Sequence, residues 1–397
     1  MSMPRAVRHI NETRTLEALR RNGPMSRADI ARELGVTRST ASALVASLVD
    51  IGLLTDAPDG TTEPDTEKRT GRPGTRICVN AEHAFFLGIE VGVGRGSVAV
   101  VDLSGKVRAT REYRFSLERT TPQKVAELVA KDVRKTLAEL GTSPQLRGGI
   151  ATVPGLVDFA GHVVRAPYLG WRDVPFLDLM RAALPEVELV GLENDANAVA
   201  VADMQMTPGA RKNVVYLLLD TGIGGCAVAD GKVLRGNNGY AGELGHIIIG
   251  DKGYSSSERS TVDGSLESYV GRRALFARHD HYGGRSERIS DFLTALDAGE
   301  KAAVATLDDW TKQLGRGLAS IVSVLNPEQI VLCGPLAPLF ARGEASARAS
   351  LGAHLLAGSH VPQLSLTHLG REAPAIGAAL LLQHNLFAYD EELLFGG

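Results

Sequence analysis

The chain has 397 residues with a hydrophobic content of 44%, ample for two or three domains with their own cores. Its formal net charge of −3 excludes a generally basic protein that coats nucleic acid. The charge is uneven, however. Between Met1 and Val49, Arg5, Arg8, Arg14, Arg20, Arg21, Arg27, Arg32 and Arg38 outweigh Glu12, Glu17, Asp29 and Glu33 by +4, which leaves −7 for the remainder. A modestly basic head on an acidic body suits a small DNA-contacting module joined to a larger domain. Cys78, Cys226 and Cys333 stand far apart with no CxxC pair, so neither a disulfide framework nor a thiolate metal site is expected. No charged-then-apolar leader follows Met1, and no apolar run approaches about 20 residues. The expectation is a cytoplasmic protein without a membrane partner.

Thr13 to Arg21 places Leu16 and Leu19 on one helical face, and Gly23-Pro24 ends that helix. Ser26 is an N-cap for the next, and Asp29 three residues on completes a capping-box pattern. Ile30, Ala31 and Leu34 form its apolar stripe, and Gly35 terminates it. Thr37 caps a third helix whose buried face is Ala41, Leu44, Val45 and Leu48. Two helices joined by a tight glycine turn make a helix-turn-helix, whose second helix enters the major groove by its N-terminal side chains. Those side chains are Thr37, Arg38, Ser39, Thr40 and Ser42, and Arg27 opens the preceding helix. All are short or cationic, and can reach bases and phosphates without blocking close approach. The alternative is a plain three-helix interaction module.

From Thr55 to Arg76 the composition turns to Thr, Asp, Pro and Gly, the pattern of a wing hairpin followed by a linker. Within it, Arg72 in a Gly-Arg-Pro core fits two readings: a minor-groove contact or a charge on a solvated linker. Beyond Phe85, three apolar strands joined by glycine turns suggest antiparallel β structure. Thr121 to Leu140 is helical, with Val125, Leu128, Val129, Val133 and Leu137 on one side. Strands follow at Gly148–Val153 and Val187–Leu192, then a helix near Asn194. A second cycle opens at Asn213, and a long helix from Lys301 to Leu325 leads to a buried strand at Gln329–Gly334 and a closing helix at Ala375–Leu386. The recurrence predicts a duplicated α/β body of two lobes around a cleft.

Asn238 to His246, taken with Asn194-Asp195 and Glu267, offers three carboxylates, an amide and an imidazole. Ionised carboxylates accept strong, directional bonds from hydroxyl donors, so the set suits the vicinal hydroxyls of a sugar. A solvated acidic loop is the other reading. Tyr168, Leu169 and Trp171 fit either a specificity wall or core filling.

Val153-Pro-Gly-Leu-Val-Asp158, Glu193-Asn-Asp-Ala-Asn197, Thr221-Gly-Ile-Gly-Gly225, Gly242-Glu-Leu-Gly-His246, Gly264-Ser-Leu-Glu267 and Gly334-Pro-Leu-Ala337 follow one another in an order that resembles the ROK family (repressors, open reading frames and sugar kinases). The preceding helix-turn-helix and Thr-Gly-Arg-Pro stretch point to its regulatory branch. The resemblance implies an α/β chain with an N-terminal winged helix-turn-helix and linker over 1–80. A two-lobed, duplicated ribonuclease H-like body of the actin and hexokinase type would follow, with lobes at 81–200 and 201–397 and the C-terminal helix packing back on the first.

It further implies a sugar held by residues matching Asn194, Asp195, Glu243, His246 and Glu267, with Gly155 nearby. In kinase members the Asp195 position is the general base. The partners implied are operator DNA and a sugar effector, in a homodimer or homotetramer. The reading is a sugar-responsive repressor; the alternative is an ATP-dependent sugar kinase carrying a DNA-binding domain. Two departures matter. Glu90-Val-Gly92-Val-Gly94-Arg95 replaces the family's Asp-x-Gly-x-Thr, so no enzyme activity is expected. Glu258, Ser260 and Ser265 stand where zinc-binding cysteines are usual, so no structural zinc is expected.

Overall fold

A computed structural model describes residues 3–58, 75–141, 145–207, 209, 211–254 and 261–387. The N-terminal module comprises α1 (Met3–Asn22), β1 (Met25–Ser26), α2 (Arg27–Leu34), α3 (Arg38–Asp50), β2 (Leu54–Asp56) and β3 (Arg76–Val79). Its caps are those expected. Ser26 accepts from Asp29 N while Asp29 bonds back to the Ser26 backbone, and Gly35 ends α2 at φ 69°, a left-handed conformation that glycine adopts without a Cβ penalty. Thr37 caps α3, which buries Ala41, Leu44, Val45 and Leu48. β3 pairs antiparallel with both β1 and β2, closing the wing. α1 is longer than its apolar stripe indicated, and Arg72 lies outside the described residues.

The first lobe follows: β4 (Phe85–Val91), β5 (Arg95–Asp102), β6 (Val107–Arg114), α4 (Pro122–Glu139), β7 (Leu146–Val153), β8 (Leu156–Val157), β9 (Val163–Ala166), β10 (Trp171–Val174), α5 (Phe176–Ala183), β11 (Leu189–Asn194) and α6 (Asp195–Met206). The second contains β12 (Val214–Leu219), β13 (Ile223–Ala229), β14 (Lys232–Val233), α7 (Leu266–Val270), α8 (Arg272–His281), α9 (Ile289–Asp297), α10 (Lys301–Leu325), β15 (Gln329–Cys333), α11 (Ala337–Ala353), β16 (Gln363–Leu366) and α12 (Ala373–Phe387).

The two main sheets have one topology. Their orders are β11-β7-β4-β5-β6 and β16-β15-β12-β13-β14. In each, an antiparallel meander opens the sheet and two parallel strands extend it beyond the first strand. The helix after the last strand then crosses over. α12 packs on β4, β7 and β5 of the first sheet and against α6, while α6 also touches β12 and β13 of the second. Two glycines permit this approach. A Cβ on Gly88 would stand 1.7 Å from the Ala375 carbonyl oxygen, and one on Gly377 would stand 1.8 Å from that of Ala198. Apolar residues of α1, α12 and the first sheet, among them Leu16, Leu19, Phe86, Ile150, Ile376 and Leu380, share one core. Among the described residues, no helix is long and apolar enough to cross a membrane.

Candidate functional site

A cleft of about 550 Å³ lies between the lobes, and Gly155, Asn194, Asp195, Glu243, His246 and Glu267 all line it. The fold delivers them from separate segments. Asn194 ends β11 and caps α6, so Asp195 sits in the first turn of that helix. Glu243 stands just before a short 3₁₀ turn that ends at His246, and Glu267 lies in the first turn of α7, whose N-cap is Ser265.

These residues divide by what their polar atoms already do. Asn194 Oδ1 accepts from Ala196 N at 2.8 Å and Asn197 N at 3.3 Å, while its Nδ2 donates to Gly155 O at 3.1 Å. Glu267 accepts from Tyr168 OH at 2.7 Å, Thr261 Oγ1 at 3.2 Å and Ile223 N at 2.8 Å. Both therefore brace the cleft. Asp195 has one oxygen bonded, Oδ1 to Ala196 N at 2.9 Å. Glu243 Oε2 lies 3.6 Å from His246 Nε2, and His246 Nδ1 is buried without a hydrogen-bond partner. Asp195, Glu243 and His246 thus hold the acceptor and donor capacity left for a guest.

The carboxyls interact. Burial raises the pKa of Asp195 to about 6; the Ala196 N–H opposes the shift and the Glu243 charge adds to it. Burial raises Glu243 as well, against His246 and with help from Glu267. A hydroxyl-rich guest offers such desolvated carboxylates the donors they lack.

Tyr168, Leu169 and Trp171 separate cleanly. Leu169 and Trp171 are core residues, with Trp171 against Phe176 at 4.7 Å between ring centroids, whereas Tyr168 reaches into the cleft. Sequence reasoning missed Thr261 and Arg272, neither of which carries a spacing signal.

The glycine-rich stretches at the two lobe openings begin with acids that already have partners. Glu90 is only 4% exposed and accepts from Ser97 Oγ at 2.7 Å. Arg95 Nη1 lies 3.8 Å from it, and Nη2 lies 3.4 Å from Asp220 across the cleft. Arg272 pairs with the other oxygen of Asp220. Burial pushes Glu90 up to about 7, with Arg95 and Ser97 opposing. A carboxyl raised by folding contributes most stability below its unfolded pKa, and that contribution is lost as pH rises through the folded value. Glu90→Gln is therefore expected to flatten the decline in thermal stability between about pH 5 and pH 8. Melting temperatures across that range check it; an unchanged slope would exclude Glu90 as the titrating group.

Among the described residues, no group of three His, Cys, Asp or Glu side chains is placed to hold a metal ion. Glu258 and Ser260 lie outside them. Ser265 is buried and uses its hydroxyl to accept from Ser268 N at 3.2 Å. A serine committed to a helix cap does not fit a tetrahedral zinc site of nitrogen and sulfur donors.

At the other end of the chain, Arg27, Thr37, Arg38, Ser39, Thr40 and Ser42 are all exposed. Arg8, Arg21 and Arg32 pair with Glu12, Glu33 and Asp29, and Arg14 donates to Leu34 O at 3.3 Å. Arg27 and Arg38 stand at the first positions of α2 and α3. Thr37 Oγ1 accepts from Thr40 N at 3.2 Å, which makes Thr37 first of all a cap.

Residues 86–385 match the ROK family, and residues 8–62 match the MarR family. A xylose repressor of Bacillus subtilis is 27% identical over 394 residues, covering 96% of this chain and 97% of that protein. Among solved structures, a ROK family transcriptional regulator described as a homolog of the E. coli MLC protein superposes with a TM-score of 0.76 at 22% identity, over 96% of this chain and 97% of its own. A ROK hexokinase from Thermus thermophilus gives 0.62 at 28% identity, over 76% of this chain and 99% of its own. Similarity thus extends to repressors along the whole chain and to kinases along the body.

Proposed function

Because the chain belongs to the ROK family and carries a MarR-type winged helix ahead of the ROK body, we propose that it is a transcriptional repressor whose hold on operator DNA is released by a sugar bound between the lobes. The observation that carries this reading is the convergence of Asp195, Glu243 and His246, with spare hydrogen-bonding capacity, on one cleft braced by Asn194 and Glu267. Xylose is the first sugar to test, since full-length relatives are named xylose repressors. A homodimer or dimer of dimers would present two winged helices to half-sites about one helical turn, or a multiple, apart.

A mechanical route connects the two ends. Asn194 and Asp195 sit at the start of α6; α6 packs on α12, and α12 reaches α1 of the DNA-binding module. A guest that favours one lobe orientation would shift α12 and with it the spacing of the winged helices. Coupling of about 1–3 kcal/mol suffices for a 5–150-fold change in operator affinity. Catalysis is not part of the proposal, because Glu90 is buried against Ser97 and Arg95 and Asp220 is shared between two arginines. Clear turnover of a hexose with magnesium and ATP would favour the kinase reading instead.

The test is operator binding by the full chain, using DNA selected from a random pool, with and without xylose. Arg38→Ala is expected to weaken operator binding by about 5–150-fold, the worth of a base-reading arginine at about 1–3 kcal/mol, and to leave sugar affinity unchanged. Wild-type operator affinity in that variant would remove α3 as the reading helix.

A further inference from the structure

We propose that Arg235 is a positioning residue: its ion pair with Glu193 latches the second lobe to the first and holds Asp195 and Glu243 within reach of one guest. The proposal rests on the sugar reading of the cleft for what the latch serves, but not for the latch itself. Neither partner lines the cleft; both line a separate cavity of about 210 Å³. Glu193, in β11 of the first lobe, uses both oxygens. Its Oε1 accepts from Asn194 N and Asn197 Nδ2, each at 2.9 Å, and so grips the first turn of α6, where Asp195 sits. Its Oε2 accepts from Arg235 Nε at 3.2 Å and Nη2 at 2.8 Å.

Arg235 lies just beyond β14 of the second lobe, and its backbone does a second task. Its carbonyl accepts from Ala241 N at 3.1 Å, which closes a loop shortly before Glu243. One residue thus fixes the approach to Glu243 by its main chain and the approach to Asp195 by its side chain. The loop meets the first lobe again at its tip. A Cβ on Gly239 would stand 2.8 Å from the Val157 carbonyl oxygen and 3.8 Å from the Phe159 ring.

A latch has work to do here because the cleft walls repel. The charge of Glu243 acts on Asp195, and that of Glu267 acts on Glu243; without a guest, like charges on facing segments favour an open cleft. Arginine suits the task, since its planar fork takes one carboxylate oxygen with two N–H groups and leaves the other oxygen to α6. The side chains of Arg235 and Glu193 are 34% and 15% exposed, sheltered enough to outweigh a surface pair yet outside the core, free to part as the lobes move. A contact that favours the closed orientation raises apparent sugar affinity by enlarging the binding-competent fraction.

The experiment pairs calorimetry with xylose and hydrogen exchange on the full chain without sugar. Arg235→Gln should weaken xylose binding by about 10-fold, the worth of one hydrogen bond to a charged group. Operator release should need correspondingly more xylose, while sugar-free operator affinity and the melting temperature hold. Arg235→Lys should restore part of the loss. Glu193→Gln keeps one acceptor for α6 and loses the one facing Arg235, so the double variant should bind xylose no worse than either single one. In the free chain, Arg235→Gln should speed amide exchange over residues 235–246 and 156–162. Arg181→Ala is the control: it removes a guanidinium from the same cavity, but one bonded to Leu189 O within the first lobe, and should change neither readout. A wild-type chain that ignores xylose would count against xylose as effector alone, and the exchange pattern would still decide the latch. Unaltered exchange in Arg235→Gln, or equal effects of Arg181→Ala, overturns it.

Discussion

Replacement of Asp195 by asparagine is expected to abolish sugar-induced release from the operator while leaving the affinity for DNA unchanged. Asparagine keeps the shape and an oxygen for the Ala196 N–H, and the helix cap belongs to Asn194, so α6 survives the change. What is lost is the ionised acceptor. A hydrogen bond to a charged group contributes about 1.5–3 kcal/mol, a loss of roughly 10–150-fold in sugar affinity for each hydroxyl that Asp195 accepts. A ligand shifts a two-state equilibrium only through its differential affinity, so the response disappears with the binding. Acidification offers the same test without mutation. Since burial holds the Asp195 pKa at about 6, wild-type sugar affinity should fall as pH drops through that value, and the asparagine variant should show a smaller step, left to Glu243. Calorimetry with xylose beside gel retardation on operator DNA measures both. A variant that still releases operator at wild-type sugar concentrations would relocate the pocket.

Gly377→Val should cause a large loss of stability without touching the proposed sugar site. Its Cβ would arrive 1.8 Å from the Ala198 carbonyl oxygen, a backbone atom that cannot rotate aside. Overpacking costs typically about 1–3 kcal/mol, and a clash with backbone belongs at the upper end. Melting should fall by several degrees. Release from DNA should also be lost, because α6 and α12 can no longer meet. Gly352→Ala in α11 is the control. Nothing lies within 4 Å of its added Cβ, so stability should hold or rise slightly. Equal melting of both variants would deny the α6–α12 contact any special weight.

Much of this architecture was legible because it rests on local chemistry. The Ser26 and Thr37 caps, the Gly35 stop and the period of α3 are decided by residues three or four apart, and the core strands by unbroken apolar runs. The small sheet of β8, β9 and β10 was not legible. Its strands have two to four residues, too few for a period to show. Nor were α8 and α11, where charged residues interrupt the apolar stripe, or α9, whose stripe is intact but only nine residues long. The similarity of the two lobes showed as a recurrence of strands, but the exchange of their last helices is a tertiary fact.

At the site, sequence identified which carboxylates meet, but not their division of labour. Glu267 reads like Glu243 in the chain; only the arrival of Tyr168, Thr261 and Ile223 N makes it a brace. Arg272 carried no signal, since its partner lies 52 positions away.

The crossing of α12 onto the first sheet also governs how the molecule comes into being. Phe86 and Ile150 of the early strands, and Leu16 and Leu19 of the DNA-binding head, share their core with a helix that begins at Ala373. On the ribosome, those faces wait uncovered until the chain has been made past Ala373. A product cut short before that point would lack its keystone and be prone to aggregation, so prematurely terminated copies should be cleared rather than compete for operators.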